Sequence, residues 1–82
     1  MEFIVTNHAK LRMIQRDIPE PNKLILKCAR KKTRKKIREL CIKNGVKNEI
    51  DGYVYFVNDK FVYVCIILDI AKYKVITAFK LN

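Results

Sequence analysis

The spacing of apolar residues between Thr6 and Pro19 predicts a first helix. Thr6 or Asn7 can cap its start with a side-chain oxygen, and Pro19 cannot continue a helix, so it marks the end. The residues that supply apolar contacts along this helix are Leu11, Met13, Ile14 and Ile18.

A second helix is predicted from Pro21 to Asn44, either continuous or with a stretch from Arg30 to Lys36 that projects, kinks or frays because like charges repel there. Proline is tolerated in a first helical turn, and Asn44-Gly45 is a good C-terminal stop. The two helices are then expected to form a helical hairpin, because only a short break at Pro19-Glu20-Pro21 separates them. The inward face of the second helix is a narrow stripe of Ile25, Ala29, Thr33, Ile37, Leu40 and Cys41.

After Gly45 the pattern changes to one typical of β-strands. Residues 53–57, 61–69 and 73–81 are rich in β-branched and aromatic side chains, and short connections between them favour antiparallel hairpins. Phe3-Ile4-Val5 can add a short edge strand. Both faces of the middle strand are apolar, so the face that helices on one side leave open is a candidate groove or homodimer interface. Its candidate residues are Tyr53, Tyr55 and Tyr63.

These elements predict one α+β domain over residues 1–82, with two N-terminal helices packed on an antiparallel meander sheet of three to four strands. A chain of 82 residues is too short to bury two cores. No run of about twenty apolar residues occurs, and the segment from Met1 to Thr6 is too short for a secretion signal. A cytoplasmic protein without a membrane segment is expected.

The formal net charge of +10 is concentrated in one part of the chain. Ten basic residues and one acidic residue, Glu39, lie between Pro21 and Asn44, a net charge of +9. Such an excess favours a polyanionic partner. The candidate nucleic-acid-binding residues are Arg30, Lys31, Lys32, Arg34, Lys35 and Lys36.

The three cysteines and one histidine do not suggest a metal site. Cys28, Cys41 and Cys65 show no CxxC spacing, and His8 alone leaves too few partners for zinc. No cofactor is expected. The cysteines are interpreted as reduced and mostly buried thiols.

His8, Arg12 and Arg16 are spaced at i, i+4 and i+8, so on a helix they share one face. Histidine can titrate near neutral pH, and arginine suits phosphate, which is a combination useful in RNA chemistry. Structural roles are the alternative: His8 can hydrogen-bond the backbone, and the arginines can form ion pairs with Asp17 or Glu20.

The pattern HAxxRMxxRxI from His8 to Ile18, followed by a helix and a late sheet ending at Val75 to Phe79, resembles the small toxin-like family related to BrnT and RelE. The resemblance implies a compact ribonuclease of a toxin–antitoxin system, with RNA or ribosome-bound mRNA as substrate and an acidic antitoxin as partner. It also implies a role for Thr77, because similar sequences often place a threonine in the last strand, where its hydroxyl can contact phosphate.

The functional expectation is therefore an RNA-binding protein that acts as a metal-independent endoribonuclease. His8 would carry the proton, Arg12 and Arg16 would bind the scissile phosphate, and Thr77 would complete the catalytic set. Two alternatives remain open: a nonenzymatic nucleic-acid-binding module that uses the second helix, and an adaptor whose basic helix docks an acidic protein.

Overall fold

The computed structural model describes residues 2–21, 26–46, 53–58 and 60–81 and has an α+β fold. Within these residues the strands and helices follow the order β-α-β-α-β-β-β. The elements are β1 (Glu2–Val5), α1 (Asn7–Gln15), β2 (Lys27–Cys28), α2 (Lys31–Lys43), β3 (Tyr53–Val57), β4 (Phe61–Asp69) and β5 (Lys72–Lys80).

The described strands form one mixed sheet in the order β1-β5-β4-β3-β2. The three late strands pair as successive antiparallel hairpins, which confirms the predicted meander. The strand predicted around Phe3-Ile4-Val5 is also present, but it runs parallel to β5. The prediction of a purely antiparallel sheet with three to four strands is therefore wrong. A four-residue strand carries no local signal for the direction of a partner some seventy residues away.

Thr6 joins the start of α1 to the sheet. Its Oγ1 accepts a hydrogen bond from the backbone N–H of Ala9 at 3.0 Å, and its own N–H donates to the Val75 carbonyl at 3.3 Å. The predicted N-cap is thus confirmed, and it is also the link between β1 and the helix.

The end of α1 is set by Asp17 rather than by Pro19. Asp17 adopts a left-handed φ of 54°, and its N–H donates to the Ile14 carbonyl. The N–H of Ile18 donates to the Met13 carbonyl at 2.8 Å. These two bonds form a Schellman motif, which closes the helix before the proline is reached.

The second helix begins at Lys31, so the predicted helix from Pro21 is wrong over its first part. Lys27–Cys28 instead forms a short strand paired with β3. Leu26 packs in the core on the α1 side of the sheet, whereas Ala29 packs in the core on the α2 side. An extended segment can place these residues on opposite faces, but a helix lying on one face could not. Ile25, assigned to the inward stripe, lies outside the described residues.

The two helices therefore pack on opposite faces of the sheet, so the predicted helical hairpin is wrong. Strand β4 contributes alternate residues to each core. Its Tyr63 and Cys65 face α1, whereas Val62 and Val64 face α2. Tyr55 is only 3% exposed beneath α2, so the predicted open tyrosine face is wrong. Dimerisation through the sheet stays a prediction.

The three cysteines differ in burial. Cys41 and Cys65 are buried, and burial raises the pKa of the first thiol to about 11 and of the second to about 12. Cys28 lies exposed on β2, so two of the three free thiols are buried, as the sequence predicted. No helix in the described ranges is long and apolar enough to cross a membrane.

Candidate nucleic-acid interface

The outward face of α2 carries a dense set of exposed cations. Ile37 and Cys41 anchor the opposite face in the core, as the apolar spacing predicted. Glu39 is an exposed acid on the same helix. The exposed cations on α2 are Arg34, Lys35, Lys36, Arg38 and Lys43, and Arg30 immediately precedes the helix. The predicted basic segment is thus an ordered helical surface over much of its length.

The N-terminal end of α2 adds to this positive field. Arg30 occupies the N-cap position without a side-chain capping hydrogen bond, and the first turn contains no acidic residue. The backbone N–H groups of a helix start carry a partial positive charge, so cations there are unfavourable and anions are favourable. Lys31 and Lys32 form the first turn of the helix, and their side chains lie outside the described part of the chain.

Two of the α2 cations interact with groups within the protein. Arg34 donates from Nε to the Ala29 carbonyl at 3.0 Å and from Nη2 towards the sulfur of Cys28 at 3.7 Å. Burial and the nearby Cys41 raise the pKa of Tyr55, and the positive charge of Arg38 opposes that rise. Arg34 thus links the N-terminal part of α2 to the end of β2. Lys35, Lys36 and Lys43 are therefore the better candidates for external contacts.

The candidate catalytic residues of α1 are partly brought together. His8 and Arg12 are exposed on the helix, and Arg12 donates to the Gln15 side chain at 3.3 Å. Arg16 is the C-cap residue and donates to the Ala78 carbonyl at 2.7 Å. Burial lowers the pKa of Arg16, and the positive charge of Arg12, four residues earlier in the chain, lowers it further. Neither expected ion pair, to Asp17 or Glu20, is formed among these described residues.

The structure does not bring Thr77 to this group. Thr77 is 7% exposed and pairs with Val64, whose side chain belongs to the core on the α2 side. Regular alternation would have placed Thr77 on the same face as Val75, which packs towards α1. A register shift between β4 and β5 lies between these two pairs and reverses the alternation.

A groove that sequence reasoning missed lies where α1, α2 and β5 end. It has a volume of about 560 Å³ and combines three cations with one carboxylate and two amides. No sequence pattern placed Lys43 and Lys80 in one site, because α1 and α2 pack on opposite faces of the sheet and their ends border the same groove only in the folded chain. The described residues that line the groove are Gln15, Arg16, Asp17, Leu40, Lys43, Asn44, Phe79 and Lys80.

Comparison with known proteins gives no assignment: no protein-family model, curated protein or solved structure matches this chain at a significant level. Among the side chains that the structure describes, no group of three or more His, Cys, Asp or Glu residues is placed to hold a metal ion.

Proposed function

We propose that this protein binds RNA through the outward face of α2. The observation that carries the proposal is the row of exposed cations on this helix, with Lys35, Lys36 and Lys43 directed away from the core. Glu39 offsets only part of the charge. A polyanionic backbone would neutralise several of these side chains at once and release its own counterions.

The N-terminal end of α2 also favours a polyanionic partner such as RNA. Arg30 and Arg34 lie at the positive end of the α2 dipole, where their charges destabilise the helix. Phosphate groups placed there would interact favourably with both the side chains and the backbone N–H groups. Binding should therefore raise the melting temperature of the protein, because a ligand that binds only the folded state stabilises it.

The choice of RNA over DNA comes from the resemblance to BrnT- and RelE-like toxins, which also implies an acidic antitoxin. An acidic protein would use the same basic face and would compete with RNA for it. The finer prediction of cleavage rests on His8, Arg12 and Arg16, since Thr77 lies on the other side of the sheet.

The test of binding is the salt dependence of affinity, measured by fluorescence anisotropy with a labelled single-stranded RNA. Replacing Lys35 and Lys36 with Gln should weaken binding and reduce the slope of log affinity against log salt by about 0.7 for each lost contact. The matched control replaces Lys10 and Lys74, two exposed lysines on α1 and β5, and should leave the slope nearly unchanged.

Equal effects of the two double variants would contradict a specific α2 interface and indicate net charge alone. Failure of the wild-type protein to bind any nucleic acid, together with a stoichiometric complex with an acidic protein that survives nuclease treatment, would favour the adaptor alternative.

Cleavage is tested separately with His8→Gln, on free RNA and on translating ribosomes. If His8 moves a proton, the variant should lose about 100-fold or more in rate. Arg12→Lys distinguishes a planar two-bond contact with phosphate, which lysine cannot make, from simple charge attraction. Binding without cleavage in either assay would assign the nonenzymatic alternative.

A further inference from the structure

We propose that the groove between the ends of α1, α2 and β5 holds one unpaired nucleotide of a single-stranded RNA. This inference rests on the proposed RNA binding and goes further, because it assigns discrimination between single strands and duplexes to a particular site. The groove is defined by its three cations, Arg16, Lys43 and Lys80, together with Asp17 and the amides of Gln15 and Asn44.

The charges of the groove favour a phosphate group. Arg16 and Lys43 lie at the C-terminal ends of α1 and α2, where they offset the partial negative charge of the helix ends. Lys80 comes from a strand, so no helix end offsets its charge. Asp17 is the one carboxylate among the described lining residues, and the cations outnumber it.

The amides and the carboxylate favour the edge of a base. Gln15 accepts a hydrogen bond from Arg12 through its Oε1, so its NH₂ group is left as a donor. Asn44 donates through Nδ2 to the Leu40 carbonyl at 2.8 Å, so its Oδ1 is left as an acceptor. With Asp17 as a second acceptor, the groove offers both kinds of group. Unpaired bases present donors and acceptors together on their edges.

The groove continues the basic face of α2. Lys36, Leu40 and Lys43 are spaced at i, i+4 and i+7, so they share one side of the helix, and the last two line the groove. A single-stranded RNA bound along Lys36 would therefore continue into the groove towards Lys80. The volume of about 560 Å³ lies within the range of small-ligand sites. A duplex keeps its bases stacked inside and cannot place one in such a site without opening.

The test compares one RNA sequence in single-stranded and duplex form. The double variant Lys80→Gln with Asn44→Ala should lower single-strand affinity by about tenfold, the effect of losing one phosphate and one base contact, and leave duplex affinity within about twofold. Lys35→Gln is the control, and it should weaken both forms by the same factor. Circular dichroism and melting temperature check that each variant is folded.

Cross-linking gives a second readout that needs no substitution. A 4-thiouridine in the single strand should attach to peptides containing residues 15–17, 40–44 or 79–80, and base pairing should abolish this attachment. Attachment elsewhere would overturn the groove assignment, and so would a double variant that weakens single strand and duplex equally.

The two proposals fail in different ways. If the wild-type protein binds no RNA, the proposed function fails and the groove assignment falls with it. If Lys35→Gln weakens binding but the groove variant leaves the ratio of single-strand to duplex affinity unchanged, only the groove assignment fails. Binding of an acidic peptide by the groove with no RNA cross-link there would likewise overturn this inference alone.

Discussion

Arg16 donates a hydrogen bond from Nη1 to the carbonyl oxygen of Ala78 at 2.7 Å. This bond joins the end of α1 to a part of β5 that does not pair with β1. The pairing of β1 with β5 covers only residues 72–75. Within the described residues, no strand borders positions 76–80 on that side. The guanidinium thus satisfies a backbone acceptor that a neighbouring strand would otherwise have bonded, and it fixes one wall of the groove.

Arg16→Ala should lower the free energy of unfolding by about 1–2 kcal/mol, because it removes a charge-assisted hydrogen bond and leaves the Ala78 carbonyl without that donor. Arg12→Ala is the matched control; its bond to Gln15 is exposed and 3.3 Å long, so the change should stay within about 0.5 kcal/mol. Urea unfolding of the two variants measures the difference. Equal losses would mean that the Arg16 bond contributes no more than an exposed surface contact.

Arg30→Ser should stabilise the protein by about 1 kcal/mol, because serine can cap the exposed N–H groups at the start of α2 and removes an unfavourable positive charge. The same variant should bind RNA more weakly. Thermal unfolding and anisotropy of one preparation test both effects. A stabilised variant with unchanged RNA affinity would show that this helix end does not contact phosphate.

Asp17→Gly should stabilise the protein by about 0.5–1 kcal/mol, since glycine adopts the positive φ of 54° without the penalty of a side chain. Asp17→Ala should destabilise it, because alanine retains the penalty and cannot hydrogen-bond locally. Both changes remove the same carboxylate from the groove. RNA affinity should therefore change alike in the two variants while their melting temperatures move in opposite directions.

Alkaline pH should destabilise the fold through its buried thiols. Burial raises the pKa of Cys65 from 9.0 to about 12 and that of Cys41 to about 11. In the unfolded chain both thiols ionise near pH 9. The contribution of the buried thiols to the free energy of unfolding is therefore complete below pH 9, and it is lost as the pH rises towards the pKa values of the folded protein. The free energy of unfolding falls by at most about 1.4 kcal/mol per pH unit for each thiol.

Urea unfolding between pH 8 and pH 10 measures this slope, and Cys65→Ala should flatten it. The exposed Cys28 supplies the control, because Cys28→Ala removes a thiol whose surroundings remain hydrated. Titration of the many lysines is common to all three proteins and cancels in the comparison. A slope in Cys65→Ala as steep as in the wild type would exclude this thiol as its source.

Local patterns were sufficient to predict the elements whose signals lie within a few residues. The strands at 53–57, 61–69 and 72–80 follow from runs of β-branched and aromatic residues, and the cap at Thr6 follows from a side-chain oxygen placed before a helical pattern. The inward stripe of α2 at Ile37 and Cys41 follows from helical spacing. The concentration of charge on that helix could likewise be deduced without coordinates.

Tertiary structure alone decided which residues share a face. The pairing of β1 with β5 joins segments at opposite ends of the chain, so no local pattern could give its direction. The segment between Leu26 and Ala29 changes from one core to the other because it extends along the sheet edge, although its composition also suits a helix. One register shift moves Thr77 away from α1, and helices on opposite faces meet around β5 to form the groove. Each of these outcomes depends on contacts between distant segments, which the spacing of residues along the chain does not encode.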